Sequence, residues 1–174
     1  MIIIVEGIDR VGKTTLANNI SKKYGLKIYK HIGDFRYCNM DNENETDKIL
    51  QILEIIRISK IDIIFDRLHF TDFVYGCIER NYDFCEALKN KMKIENFLVN
   101  NIDTKLIYMN PVNINIANKM HGKNLNWHYT FMNELYKESI IEDKISIDYN
   151  SDINEIIDNW IKSKESAKKE NIKS

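Results

Sequence analysis

Residues 1–15, MIIIVEGIDRVGKTT, constrain the fold more than any other stretch. Ile2 to Val5 form a nearly continuous apolar run, as expected of a short strand buried on both faces. The run ends at Glu6, and Gly7-Ile8-Asp9-Arg10-Val11-Gly12-Lys13-Thr14 then fits the spacing GxxxxGK[ST]. That spacing needs a strand before it and a helix after it. Backbone N–H groups of the loop turn inward to surround phosphate oxygens, and the positive end of the helix adds to the field. Residues 13–24 supply the helical pattern and Gly25 its stop. Gly7, Gly12, Lys13, Thr14 and Thr15 are therefore the candidate triphosphate-binding set, with Lys13 directed at the β- and γ-phosphates and Thr14 at a magnesium ion. Most loops of this kind place small residues where Asp9 and Arg10 stand, so this charged pair points to chemistry beyond simple nucleotide binding.

The rest of the chain alternates strand and helix. Apolar strand patterns fall at 26–30, 61–65, 104–109 and 144–148. Helical patterns fall at 46–59, 70–80, 83–99, 112–121, 126–140 and 152–163, and DNENE at 41–45 reads as a loop. Such alternation within 174 residues implies one α/β domain, residues 1–163, with a five-stranded, mostly parallel sheet covered by helices in three layers. The charged stretch 164–174 has no core-facing pattern and reads as a disordered tail.

Composition excludes several classes. A net charge of −1 provides no field for nucleic acid or a membrane surface. No apolar run approaches the roughly 20 residues that span a bilayer, and the N-terminus lacks the basic region of a signal peptide. Cys38, Cys77 and Cys85 have no CxxC spacing, which fits reduced thiols in the cytoplasm and argues against zinc.

The second informative stretch is IDIIFDRLHFTDFVYG, residues 61–76. A strand ending in Asp66 places a carboxylate where a magnesium-holding aspartate belongs. Arg67 follows where motor ATPases carry a second acid, and its planar guanidinium suits a phosphate on a second substrate. The sequence NNID at 100–103 lacks the lysine of the guanine-reading NKxD and precedes a strand instead of following one, which argues against a GTPase.

EGIDRVGKTT together with DRLHFTDFVYG resembles the thymidylate kinase family, within the wider group of thymidylate and deoxynucleoside kinases. The family patterns are EGxDxxGKT and DRYxxSxxAY. Deoxynucleoside kinases resemble EGNxxxGKS and ERS at these places, so Asp9 and Asp66-Arg67 favour the thymidylate kinase side. The resemblance implies a P-loop kinase fold with a short lid at about 111–125, a soluble nucleotide as acceptor, and a homodimeric state in many members. It implies that Asp9 approaches the acceptor sugar hydroxyl and that Arg10 stabilises the moving phosphoryl group. Arg67 would bind the acceptor phosphate and Asp66 the metal, while Phe70, Thr71 and Tyr75 would flank the sugar and base. ATP and Mg²⁺ are the implied cofactors, and Arg10, Lys13, Asp66 and Arg67 the implied catalytic set.

The resemblance is incomplete. The lid stretch NPVNINIANKMHGKNLNW, residues 110–127, contains no arginine, which leaves Lys119 and Lys123 as its fixed cations. That fits the subtype whose catalytic arginine lies in the phosphate loop. His121 and His128 read as surface or packing residues, and His69 as a packed or solvent-facing one. The aromatic and arginine pair that reads thymine has no counterpart at 46–60, where Arg57 lies at the wrong end of its helix. Arg36, with Phe35 or Tyr37 beside it, is the alternative acceptor contact. The expected activity is ATP- and magnesium-dependent phosphoryl transfer to thymidylate or a related deoxynucleoside monophosphate. A deoxynucleoside kinase, suggested by MNELYKESI at 132–140, and a non-catalytic nucleotide-binding protein are the alternatives.

Overall fold

The computed structural model describes residues 1–30, 42–148 and 155–160. Its elements, in chain order, are β1 (Ile2–Glu6), α1 (Lys13–Tyr24), β2 (Lys27–Lys30), α2 (Asn42–Ser59), β3 (Ile63–Asp66), α3 (His69–Glu79), α4 (Phe84–Asn101), β4 (Thr104–Asn110), α5 (Ile114–His121), α6 (Asn126–Glu138) and β5 (Lys144–Asp148). A further helical segment covers 155–160. The strands form one five-stranded sheet in the order β2-β3-β1-β4-β5, with every pair parallel.

The central strand explains the apolar N-terminus. All of β1 is buried, flanked by β3 and β4, and helices cover both faces of the sheet. β4, its other neighbour, is buried over six of seven residues. The edge strands β2 and β5 are far more exposed and carry lysines, which discourages pairing with another chain. The chain leaves β1 towards β3 and β2 on one side and later returns to β4 and β5 on the other. The order therefore switches at β1, and a ligand crevice is expected beyond its carboxyl end.

Element boundaries follow the sequence patterns closely, with one clear difference. α2 begins at Asn42, so part of DNENE is helical and not loop. Acidic residues suit the positive end of a helix, and this offsets their weak core-facing pattern. At the other end of the chain, Lys144 closes α6. Its Nζ donates to the carbonyl oxygens of Tyr136, Lys137 and Ser139 at 2.8–3.1 Å, satisfying acceptors that a helix C-terminus leaves open.

Two buried carboxylates tie the elements together. Glu6, fully buried at the end of β1, accepts from the backbone N–H groups of Leu68 and Phe70 and from Thr71 Oγ1. It caps α3 from a different strand, since α3 has no side-chain cap of its own. Glu95 of α4 meets His69 Nε2 at 3.2 Å, Lys91 Nζ at 2.9 Å and Ser139 Oγ at 2.7 Å. His69 is thus a packed residue of the core. No described helix is long and apolar enough to cross a membrane. Cys77 and Cys85 are free thiols. Arg36 with its aromatic neighbours, Cys38 and the tail from 164 lie outside the described residues.

Candidate functional site

Three segments converge beyond the carboxyl ends of β1 and β3. The parallel register sets Val5 beside Asp66, so the loop after β1 and Arg67 emerge together. Arg67 donates its backbone N–H to the Val5 carbonyl at 3.0 Å. Gly7 allows the chain to turn sharply here, with φ at +139°. A Cβ on it would lie 2.5 Å from the Met109 carbonyl oxygen, which β4 holds in place, so the loop can pass only as glycine. Gly12, at φ +86°, ends the loop and opens α1.

The resulting cavity, about 440 Å³, is lined by Asp9, Arg10, Gly12, Lys13, Thr14, Thr15, Arg67 and His121. Lys13 is buried, with its ammonium group donating to the Ile8 carbonyl. Burial chiefly, with the nearby Arg67 charge, lowers its pKa to about 7. The carboxylates of Asp9, Glu6 and Asp66 offset this in part, and phosphate oxygens beside the amine would favour its charged form further. Thr14 Oγ1 donates to Asp66 Oδ2 at 2.6 Å, while Asp66 Oδ1 is buried without a hydrogen-bond partner among the described residues. A hydroxyl and a carboxylate facing each other beside Lys13 form a hard-oxygen donor set that fits Mg²⁺. Among the described residues, no three His, Cys, Asp or Glu side chains cluster to hold a metal by themselves.

Asp9 is the crossing point of the site. Its Oδ1 lies 2.5 Å from the Arg67 guanidinium, and its Oδ2 lies 2.9 Å from His121 Nε2. Its backbone N–H donates to the Tyr75 hydroxyl at 3.2 Å. Burial pushes the Asp9 carboxyl up, but Arg67, Lys13 and His121 outweigh it and hold the group below the usual carboxylate range. Burial and the Asp9 charge push the Tyr75 hydroxyl up, so it stays a neutral donor and acceptor.

The sequence-derived set thus divides. Asp9, Arg10, Gly12, Lys13, Thr14, Thr15 and Arg67 line one cavity, and Asp66 touches it through Thr14. Tyr75 stands behind the loop, its ring 4.7 Å from that of His128. Phe70 is fully buried in the core, beside His69, and is not among the residues lining this cavity. Lys119 and Lys123 lie outside this lining too: Lys119 is exposed, and Lys123 lies 3.3 Å from Glu79 at the rim of α3. α5 contributes His121, a position the sequence pattern assigns to the surface or to packing. An available signal was its place in a stretch otherwise poor in cations, just before the helix-ending Gly122. Glu6 was also missed, although a charged residue closing a fully buried strand must find partners there.

No family model matches the chain, and no curated protein matches its sequence. Solved structures do resemble it in shape. The YorR protein of Bacillus subtilis in complex with phosphorylated GDP superposes with a TM-score of 0.68 at 20% identity, over 95% of this chain and 96% of its own. The thymidylate kinase of Ehrlichia chaffeensis gives 0.59 at 19% identity, over 94% and 97%. The deoxyadenosine kinase of M. mycoides with products dCMP and a flexible dCDP gives 0.55 at 21% identity, over 94% and 99%. At such identities the likeness establishes the fold alone: an α/β architecture, in this chain with an all-parallel five-stranded sheet, over nearly the whole length of each.

Proposed function

We propose that this chain transfers the γ-phosphoryl group of ATP to a deoxynucleoside monophosphate, thymidylate or a related nucleotide, as a cytoplasmic kinase. The observation that carries this reading is the placement of Arg67. It stands one residue after Asp66, in the same cavity as Lys13 and Thr14, with its guanidinium fixed by Asp9. A protein that only binds a triphosphate has no need of a second fixed cation facing the phosphate cradle. The fold shared with thymidylate and deoxyadenosine kinases supports the same reading.

The roles follow from chemistry. Backbone N–H groups of residues 7–14 and the start of α1 hold the triphosphate. Lys13 places its charge against the β- and γ-phosphates once anionic oxygens restore its proton. Thr14 and Asp66 would hold Mg²⁺, which when bound neutralises phosphate charge and orients the oxygens. Arg67 holds the acceptor phosphate, one of whose oxygens attacks the γ-phosphorus as the bond to the bridging β,γ-oxygen breaks and ADP leaves. Arg10, exposed at the cavity edge, is free to turn inward and meet charge on the transferring group. Asp9 positions Arg67 and offers its second oxygen to the acceptor sugar.

An ADP-release assay with a panel of deoxynucleosides and their monophosphates tests the reading. ADP formed with a monophosphate and not with its nucleoside supports it. ADP formed only with a nucleoside would make the chain a deoxynucleoside kinase, a reading that the fold shared with the M. mycoides enzyme accommodates. ATP binding with no acceptor-dependent turnover would leave a non-catalytic nucleotide-binding protein.

A further inference from the structure

His121 occupies a position that the phosphate-loop chemistry does not explain. It is the last residue of α5, before Gly122 ends the helix in a left-handed turn. Its side chain is 20% exposed and lines the cavity together with the loop after β1 and with Arg67. Nε2 lies 2.9 Å from Asp9 Oδ2, while Nδ1 is buried with no partner among the described residues. Within α5 and the turn after it, His121 is the side chain that lines this cavity. Elsewhere α5 has one buried residue, Ala117, with Ile114 partly buried against the core and the Asn118 side chain bonded to Asn126 and to the Leu125 N–H. Few buried apolar contacts mean a low local opening free energy, so one partly buried hydrogen bond to a carboxylate weighs heavily there.

From this geometry we propose that His121 is a positioning residue that latches the lid helix α5 onto the phosphate loop through Asp9, and so retains nucleotide in the cavity. The proposal rests on the nucleotide-binding reading of the site. The latch itself is made of protein groups alone. Nε2–H donates to Asp9 Oδ2, Asp9 Oδ1 holds Arg67, and one carboxylate thereby links α5, the loop after β1 and the end of β3. Opening α5 breaks the first of these bonds and leaves the second, so the lid can release product without dismantling the site. Lys119 and Lys123 do not share the task, because neither lines the cavity.

Two measurements on the full chain test this. Amide hydrogen exchange of α5 without ligand should quicken about tenfold in His121→Leu, which keeps bulk and loses the donor. His121→Gln, whose amide nitrogen reaches the place of Nε2, should restore slow exchange. Release of a fluorescent ATP analogue, followed by stopped flow, should quicken by a similar factor in His121→Leu and be rescued in His121→Gln. In an Asp9→Asn background, His121→Leu should add little to either rate. Unchanged α5 exchange in His121→Leu overturns the latch. Faster exchange with unchanged release overturns its role in retaining nucleotide, as does full additivity with Asp9→Asn. The exchange arm needs no turnover, so failure of the kinase assay would leave a clear result here.

Discussion

Arg10 and Arg67 adopt left-handed backbone conformations, with φ at +67° and +77°. A residue with a Cβ loses about 1–2 kcal/mol there relative to the right-handed region, and both arginines border the same cavity. Strain kept at two cations beside a phosphate cradle suggests that the side chains are retained for charge and not for folding. Substitution at position 10 separates these contributions. Under the proposed reaction, Arg10→Ala and Arg10→Gly both lower kcat, by about a thousandfold, with little change in triphosphate affinity. Arg10→Gly also relieves the backbone, so its melting temperature should match or exceed the wild-type value while Arg10→Ala gains less. Equal losses of kcat and affinity would remove Arg10 from the transition state. These loop and strand-end residues were legible in the sequence because their spacing encodes the chemistry. The complete burial of Phe70 was not, because α3 is buried nearly all round and its period does not single out one face. His121 was hidden for a different reason: its role depends on where α5 lands.

At the scale of elements, the Glu95 cluster decides how α3, α4 and the segment after α6 are held. Burial pushes the Glu95 carboxyl up, but His69, Lys91 and Ser139 outweigh it and bring it down to about 2, from an ordinary 4.5. A depressed acid contributes stability above its unfolded value and loses it as pH falls through the folded one. Glu95→Gln should therefore destabilise the fold by about 3 kcal/mol at neutral pH, because Lys91 is left buried without its counter-charge. The gap between wild type and variant should narrow as pH drops from about 4.5 towards 2. Urea unfolding at several pH values measures it, and a gap that stays constant would show packing rather than charge to be the cause. The helices joined by this cluster were legible from periodicity. Their mutual fixing was not, because Glu95 lies amid charged and polar neighbours in the sequence and only the tertiary fold buries it. The extra N-terminal turn of α2 was missed for a related reason, since polar helix starts have little core-facing pattern.

For the whole molecule, alternating strand and helix patterns led directly to a parallel sheet, and fully apolar strands marked its centre. Strand order was beyond the sequence, because β2 pairs with β3 and not with β1, a choice made by packing of the crossovers. That order brings Lys13, Asp9 and Arg67 into one crevice, where the carboxylates of Asp9, Glu6 and Asp66 only partly offset the burial of the Lys13 charge. Lys13, at about 7, is deprotonated above neutral pH, whereas the unfolded chain keeps that proton up to 10.5. The unfolded state binds the extra proton between these values, so this group makes stability rise with pH across that window. Below it, Lys13 stays charged and buried, and its desolvation weighs fully against the fold. Phosphates in the crevice reverse the balance by favouring the ammonium form. Triphosphate binding at about pH 8.5 should thus take up close to one proton per site. Calorimetry in two non-phosphate buffers of different ionisation enthalpy reads this number directly. Lys13→Met should abolish the uptake together with most of the affinity, yet melt no lower than wild type below neutral pH. Binding without buffer dependence would mean that Lys13 already carries its proton in the free protein. Stability and function would then not be opposed at this residue, and the crevice would owe its affinity to the loop backbone and Arg67.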